Sequence, residues 1–118
     1  PIVMNNIAWA LIDTDPKRAL DYATRANKEL PDSPQIADTL AIAYLKNGRI
    51  DEALSSSEYA VDGQPNNPSI RFHNALILDA ADETTRAMQA LSSILEENHD
   101  FPEREDAQAL FERLKSIR

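Results

Sequence analysis

Two histidines, His73 and His99, and the acids from Glu96 to Asp106 are the side chains of this sequence with the most chemical potential. A histidine becomes catalytic when the fold brings it a nucleophile or an orienting carboxylate. His73 sits among Phe72, Asn74 and Leu76, with no acid at helical spacing on its own face. It is expected at a groove or helix interface rather than in a catalytic dyad. His99 stands in Glu96-Glu97-Asn98-His99-Asp100, ahead of Glu103, Glu105 and Asp106. Several oxygens in one loop could hold a hard cation, but Ca²⁺ loops converge their ligands about a glycine, and this stretch has no Gly and no alternating Asp pattern. A solvated helix end followed by an acidic helix start accounts for the charges. There is no glycine-rich phosphate loop, no HExxH and no G-x-S-x-G. Catalytic, cofactor-binding and metal-binding residues are therefore expected to be none, and the protein is read as not an enzyme.

The elements that must position these side chains are helices. From Ile36 to Pro65, Leu40, Ala41, Tyr44 and Leu45 share one helical face, and Ala53, Leu54, Ser57 and Ala60 share another. Asn47-Gly48 supplies a left-handed residue to end the first helix, and Pro65 stops the second. Helices this short are marginal alone, so neighbours must cover their apolar faces. Shifting the sequence against itself by 34 positions shows those neighbours: Pro31 falls on Pro65, Pro34 on Pro68, Ala41 on Ala75, and Ala19 on Ala53 and Ala87. Ala26, Ala60 and Ile94 align as well.

A 34-residue period of helix-turn-helix units resembles the tetratricopeptide repeat (TPR) family. The residues that carry the resemblance are Ala37-x2-Leu40-Ala41-x2-Tyr44, then Gly48, Ala53, Ala60 and Pro65; Ala37, Ala41 and Ser57 depart from the usual Trp, Gly and Phe. The fold this implies is an all-α, right-handed α-solenoid of three TPR units plus a C-terminal capping helix. Repeat one is expected over 1–33, repeat two over 34–67, repeat three over 68–101 and the capping helix over 102–118. Within these, a first helix is expected over 3–13, and Asp15 should cap the next helix with Pro16 at its first position. Asp82 is expected to cap the second helix of repeat three. Pro102 is placed at the start of the capping helix, whose Ala107, Leu110, Phe111 and Leu114 form one stripe. Asn74 stands where Leu40 stood one repeat earlier. Two readings stay open for it: a hydrogen-bonded polar residue near a helix interface, or a contact to a segment outside the chain.

Composition narrows the partner. Acids number 20 against 12 Lys and Arg, a formal charge of −8 without a basic cluster, so nucleic acid is disfavoured. The chain has no Cys, which removes disulfides and thiolate chemistry but does not fix the compartment. No stretch approaches a bilayer-spanning length, so no direct membrane insertion by this segment is expected. Pro1 is not an initiator methionine, and a processed or excised fragment is expected. Homo-oligomerisation is left open.

The TPR resemblance implies a concave groove lined by the first helix of each repeat. The positions fall on Asn5, Asn6, Trp9 and Ile12, on Asp38, Thr39, Ile42 and Leu45, and on Phe72, His73, Leu76 and Asp79. Asn5, Trp9, Asp38, Ile42, Phe72, His73 and Leu76 are the candidate partner-binding residues. Trp9, Ile42 and Leu76 make an apolar row expected to lie opposite Ile7, Leu11, Leu40 and Tyr44; the competing reading has Trp9 packing on an absent preceding repeat. Adaptors of this family that bind acidic C-terminal peptides use cations where Asp38 and Asp79 stand, so that partner class is disfavoured. The expected function is a non-catalytic scaffold binding a protein or peptide, with no cofactor. The alternative is a structural C-terminal cap of a longer array without its own ligand.

Short motifs resemble a narrower group. Asn5-Asn6-Ile7-Ala8-Trp9, Ile70-Arg71-Phe72-His73 and Phe101-Pro102-Glu103-Arg104-Glu105-Asp106-Ala107 are similar to the C-terminal end of TPR lipoproteins of bacterial PEP-CTERM/exosortase exopolysaccharide systems. That resemblance implies the end of a larger envelope protein, periplasmic or outer-membrane-anchored; without it the chain is expected in the cytoplasm.

Overall fold

A computed structural model describes residues 1–97 and 100–117. It consists, among the described residues, of helices α1 (Ile2–Leu11), α2 (Pro16–Glu29), α3 (Pro34–Lys46), α4 (Ile50–Gly63), α5 (Pro68–Ala80), α6 (Thr84–Glu97) and α7 (Arg104–Ser116). Successive helices pack as antiparallel pairs and the pairs stack, giving an all-α right-handed solenoid 39 × 25 × 21 Å in extent.

Helices α2, α3 and α5 begin where the sequence supplies an acceptor. Asp15 and Ser33 accept from the backbone N–H of Arg18 and Ile36, and Asn67 Oδ1 accepts from Ser69 and Ile70, which satisfies donors that the first turn leaves unpaired. Pro16, Pro34 and Pro68 follow at the first helical position, where no N–H is needed.

Two helix ends are superposable in their bonding. Gly48 has φ +75°, with the Arg49 N–H on the Tyr44 carbonyl and the Gly48 N–H on that of Leu45. One period later Asp82 has φ +60°, with Glu83 bonded to Leu78 and Asp82 to Asp79. Asp82 is thus the left-handed residue that closes α5 and not the cap of α6, whose first bond runs from the Ala87 N–H to the Glu83 carbonyl. The α1–α2 connection, one residue shorter, turns without a left-handed residue. Helix α1 spans Ile2–Leu11 rather than 3–13, and α7 starts at Arg104, leaving Pro102 in the preceding turn.

Small residues sit where helices cross. Ala8, Ala41 and Ala75 are fully buried, as are Ala19, Ala53 and Ala87, and Ala26, Ala60 and Ile94. A side chain any larger at the alanine positions would push the axes apart. Gly63 has a similar constraint, since a Cβ there would stand 2.5 Å from Pro34 Cγ. Ser57 falls in the same buried series, and its hydroxyl accepts from Asn74 Nδ2 at 3.1 Å. The two departures from apolar packing therefore satisfy each other, and of the readings of Asn74 the interface hydrogen bond is the one present.

The seventh helix closes the stack. Ala107, Leu110 and Leu114 are buried against Leu91, Ile94 and Phe101, with Phe111 packed at the edge. At its two ends α7 is tied to α5, Glu103 accepting from the Ser69 hydroxyl at 2.6 Å and Arg113 donating to Asp79 at 3.1 Å.

Candidate binding groove

The odd-numbered helices lie side by side, so side chains one period apart come together on the concave surface. Trp9 and Ile12 from α1 and its end, Ile42 and Leu45 from α3, and Phe72 and Leu76 from α5 floor a cavity of about 310 Å³. A second cavity of about 400 Å³ between α5 and α7 shares Phe72, Leu76 and Asp106 and runs on to Arg113. The two form one apolar groove crossing α1, α3, α5 and α7. Its rim is acidic: Asp13, Glu103 and Asp106 border the first cavity, and the ammonium there, Lys46, is 3.1 Å from Asp13. Helix α3 also opens in the other direction. Leu40 and Tyr44 line a larger cavity, about 500 Å³, between α2 and α4 on the convex side. That cavity contains no histidine, and Glu52 in its wall is already paired with Arg49.

The row read from the sequence does meet in one groove, but it is not exposed as expected. Ile42 and Phe72 are each only 5% accessible, and Asp38 and Ile12 each 6%. Thr39 is fully buried and donates to the Gln35 carbonyl. The cause is the lateral packing: α3 touches α1 and α5 as well as its own partners α2 and α4, so a residue on its concave side is walled in on both flanks. Ile42 belongs to the central core cluster with Ala8, Leu40 and Ala41, and it reaches the groove only as floor. Trp9, Leu45 and Leu76 are half-buried and give the groove its accessible apolar surface. Asn5 is also half-buried, outside this cavity, with its Oδ1 enclosed and unpaired among the described residues. Asp79 answers Arg113 across the α5–α7 gap.

His73 is not without an acid, as its own helix suggested. Asp38 arrives from α3, and both carboxylate oxygens lie 2.9 Å from His73 Nδ1. The imidazole is tilted against Trp9, ring centroids 5.5 Å apart, and against Phe72 at 6.1 Å. Burial pushes the Asp38 carboxyl above its ordinary value; the hydrogen bond and charge of His73 oppose that, and the negative Glu103 adds to it. Among the described residues, no serine or other nucleophile is hydrogen-bonded to the pair, and no group of His, Cys, Asp and Glu gathers to hold a metal ion. His99 lies outside the described residues.

Sequence reasoning missed the acidic rim from α7. The signal was present, because Asp38, Phe72 and Asp106 are successive 34-residue equivalents, as are Ser69 and Glu103. Continuing the period past repeat three would have laid α7 beside the groove-lining helices.

A stack of helix pairs with small residues at its crossings and one helix type lining a concave groove defines a helical-repeat protein. Residues 10–56 match the family described as Tetratricopeptide repeat, and the whole chain has the fold of solved TPR domains. The first TPR of Spaghetti (RPAP3), bound to HSP90 peptide SRMEEVD, superposes with TM-score 0.83 at 16% identity, over 98% of this chain and 90% of that one. The TPR2B domain of yeast Sti1, in its pHsp70 complex, gives 0.80 at 18% identity, over 98% and 99%. The type III secretion translocator chaperone SycD of Yersinia enterocolitica gives 0.80 at 18% identity, over 97% and 82%. No curated protein matches the chain.

Proposed function

We propose that the chain is a non-catalytic protein-interaction scaffold whose concave groove takes a partner segment with apolar anchors and basic flanks. The observation that carries this reading is the pairing of an apolar floor with an acidic rim, in which Lys46 and Arg113 are already committed to Asp13 and Asp79. Solved proteins of this fold hold peptides, and the HSP90 peptide SRMEEVD on RPAP3 carries consecutive acids. Here acids border the groove, so like charge would oppose such a peptide and favour its opposite. Trp9 and Leu76 supply anchoring surface, Ile42 and Phe72 the rigid floor, and Asp38 and His73 the polar centre; Asn5, outside the cavity, is left as a contact at the α1 end.

The test is fluorescence anisotropy with a labelled short peptide of leucines flanked by lysines, against its leucine and glutamate counterpart. The basic peptide should bind preferentially, and more weakly as salt rises. Leu76→Asp should remove binding with the fold intact, whereas Ile42→Asp should unfold the domain by burying an unpaired carboxylate, a loss of about 3 kcal/mol or more. Preference for the acidic peptide, or an unfolded Leu76→Asp variant, would sink the reading.

A second reading, a structural C-terminal cap of a longer array, is favoured by Ile2 and Val3, which lie 70% exposed on α1. The proposed repeats at 1–33, 34–67 and 68–101 with a cap at 102–118 suit either reading. The finer reading, an envelope protein linked to bacterial exopolysaccharide systems, rests on the three short motifs; a lipoprotein signal in the full reading frame would support it, and a frame opening at a nearby methionine would overturn it.

A further inference from the structure

The polar centre of the groove is built to hold one particular form of histidine. A carboxylate only accepts, so with both Asp38 oxygens 2.9 Å from Nδ1, that nitrogen carries the imidazole proton. Nε2 of the neutral ring is then an acceptor. Trp9 and Phe72 flank the ring and fix its plane. The His73 side chain is 14% accessible and lines the groove, and Nε2 is neither hydrogen-bonded among the described residues nor an enclosed unpaired atom, so it opens onto the cavity. The charged groups around it are Asp38 behind, Glu103 and Asp106 from the start of α7, and Asp13 beyond α1 with Lys46 paired to it. Arg71, on the same helix as His73, is turned to Glu97 at 3.0 Å.

We propose that His73 is the specificity-determining acceptor of the groove, held by Asp38 and Trp9 so that Nε2 takes a hydrogen bond from an ammonium or guanidinium of the partner segment. This rests on the groove reading above and adds to it the atom that selects a cation. It also makes occupancy depend on pH. Protonation converts Nε2 from acceptor to donor and places a positive charge against the incoming one, so ligand and proton compete for the same nitrogen. Asp38 is a positioning residue in this scheme, since it sets the tautomer without touching the partner.

The experiment is anisotropy with the leucine-lysine peptide on the intact chain from about pH 8 down to about pH 6, together with nitrogen–proton spectra of the imidazole in the free protein. The Nδ1–H tautomer should be observed, and affinity should fall as the pH is lowered, toward about tenfold per pH unit, the limit for one competing proton. His73→Gln should bind the peptide more weakly than wild type at about pH 8 and flatten that profile. Binding with a flat wild-type profile, a persistent pH dependence in His73→Gln, or an Nε2–H tautomer overturns the role of His73 and leaves the groove reading standing. Absence of binding by either peptide at every pH overturns both. The tautomer and the wild-type profile need no variant, so an unfolded His73→Gln does not rescue the proposal.

Discussion

Asp82→Gly is expected to stabilise the domain by about 1 kcal/mol. Asp82 closes α5 at φ +60°, a conformation that costs an L residue about 1–2 kcal/mol, toward the lower end for aspartate with its short polar side chain. Its carboxylate also follows the C-terminal turn of α5, where a negative charge meets the negative end of the helix dipole for a further ~0.3–1 kcal/mol. Against these stands the larger freedom of glycine in the unfolded chain, about 0.4–1 kcal/mol. The net gain corresponds to a rise of about 4 °C in Tm for a chain of this size. Gly48 provides the reciprocal experiment at the equivalent turn. A Cβ at Gly48 meets nothing within 4 Å, so Gly48→Asp probes the backbone conformation free of collisions and should cost about 1 kcal/mol. The two turns belong to successive helix pairs, so the double exchange should come back near the parent stability. Urea denaturation of the three variants reads all of this directly. A destabilised Asp82→Gly together with a harmless Gly48→Asp would refute the assignment of both turns.

Ser57→Ala should leave the Asn74 amide without its partner inside the stack and cost about 1–3 kcal/mol, while pairing it with Asn74→Leu should recover much of that loss. Non-recovery in the double variant would show that the pair does more than satisfy itself. Asp38 gives a pH signature of known sign. Its folded pKa is raised by burial, so its contribution to stability is fully present below the unfolded value of about 3.9 and is lost as pH rises through the folded value. Relative to wild type, Asp38→Asn should therefore gain stability as pH rises across that window, measured by urea denaturation at acidic pH. A difference that is independent of pH, or of opposite slope, would contradict the burial of this carboxyl.

What the sequence determined by itself is the repeat and its local geometry. Helix starts at Asp15, Ser33 and Pro34, the left-handed Gly48, and the buried series Ala19, Ala53 and Ala87 all depend on interactions within a few residues or on a size limit imposed at every crossing. Such constraints recur with the period and can be read one repeat from another. Asp82 reads in sequence as an N-cap but closes α5, because aspartate serves both as an N-cap and, less often, as a left-handed residue, and only the phase with Gly48 separates the two roles. The tertiary structure decided which side chains meet between repeats. His73 finds Asp38 on a neighbouring helix, Asn74 finds Ser57, and Ile42 becomes floor because α1 and α5 wall it on both sides. None of these is fixed by the periodicity of a single helix, since each depends on the angle and distance at which one helix pair stacks on the next. The same stacking brings Glu103 and Asp106 of α7 to the groove, and so gives an apolar surface its acidic rim.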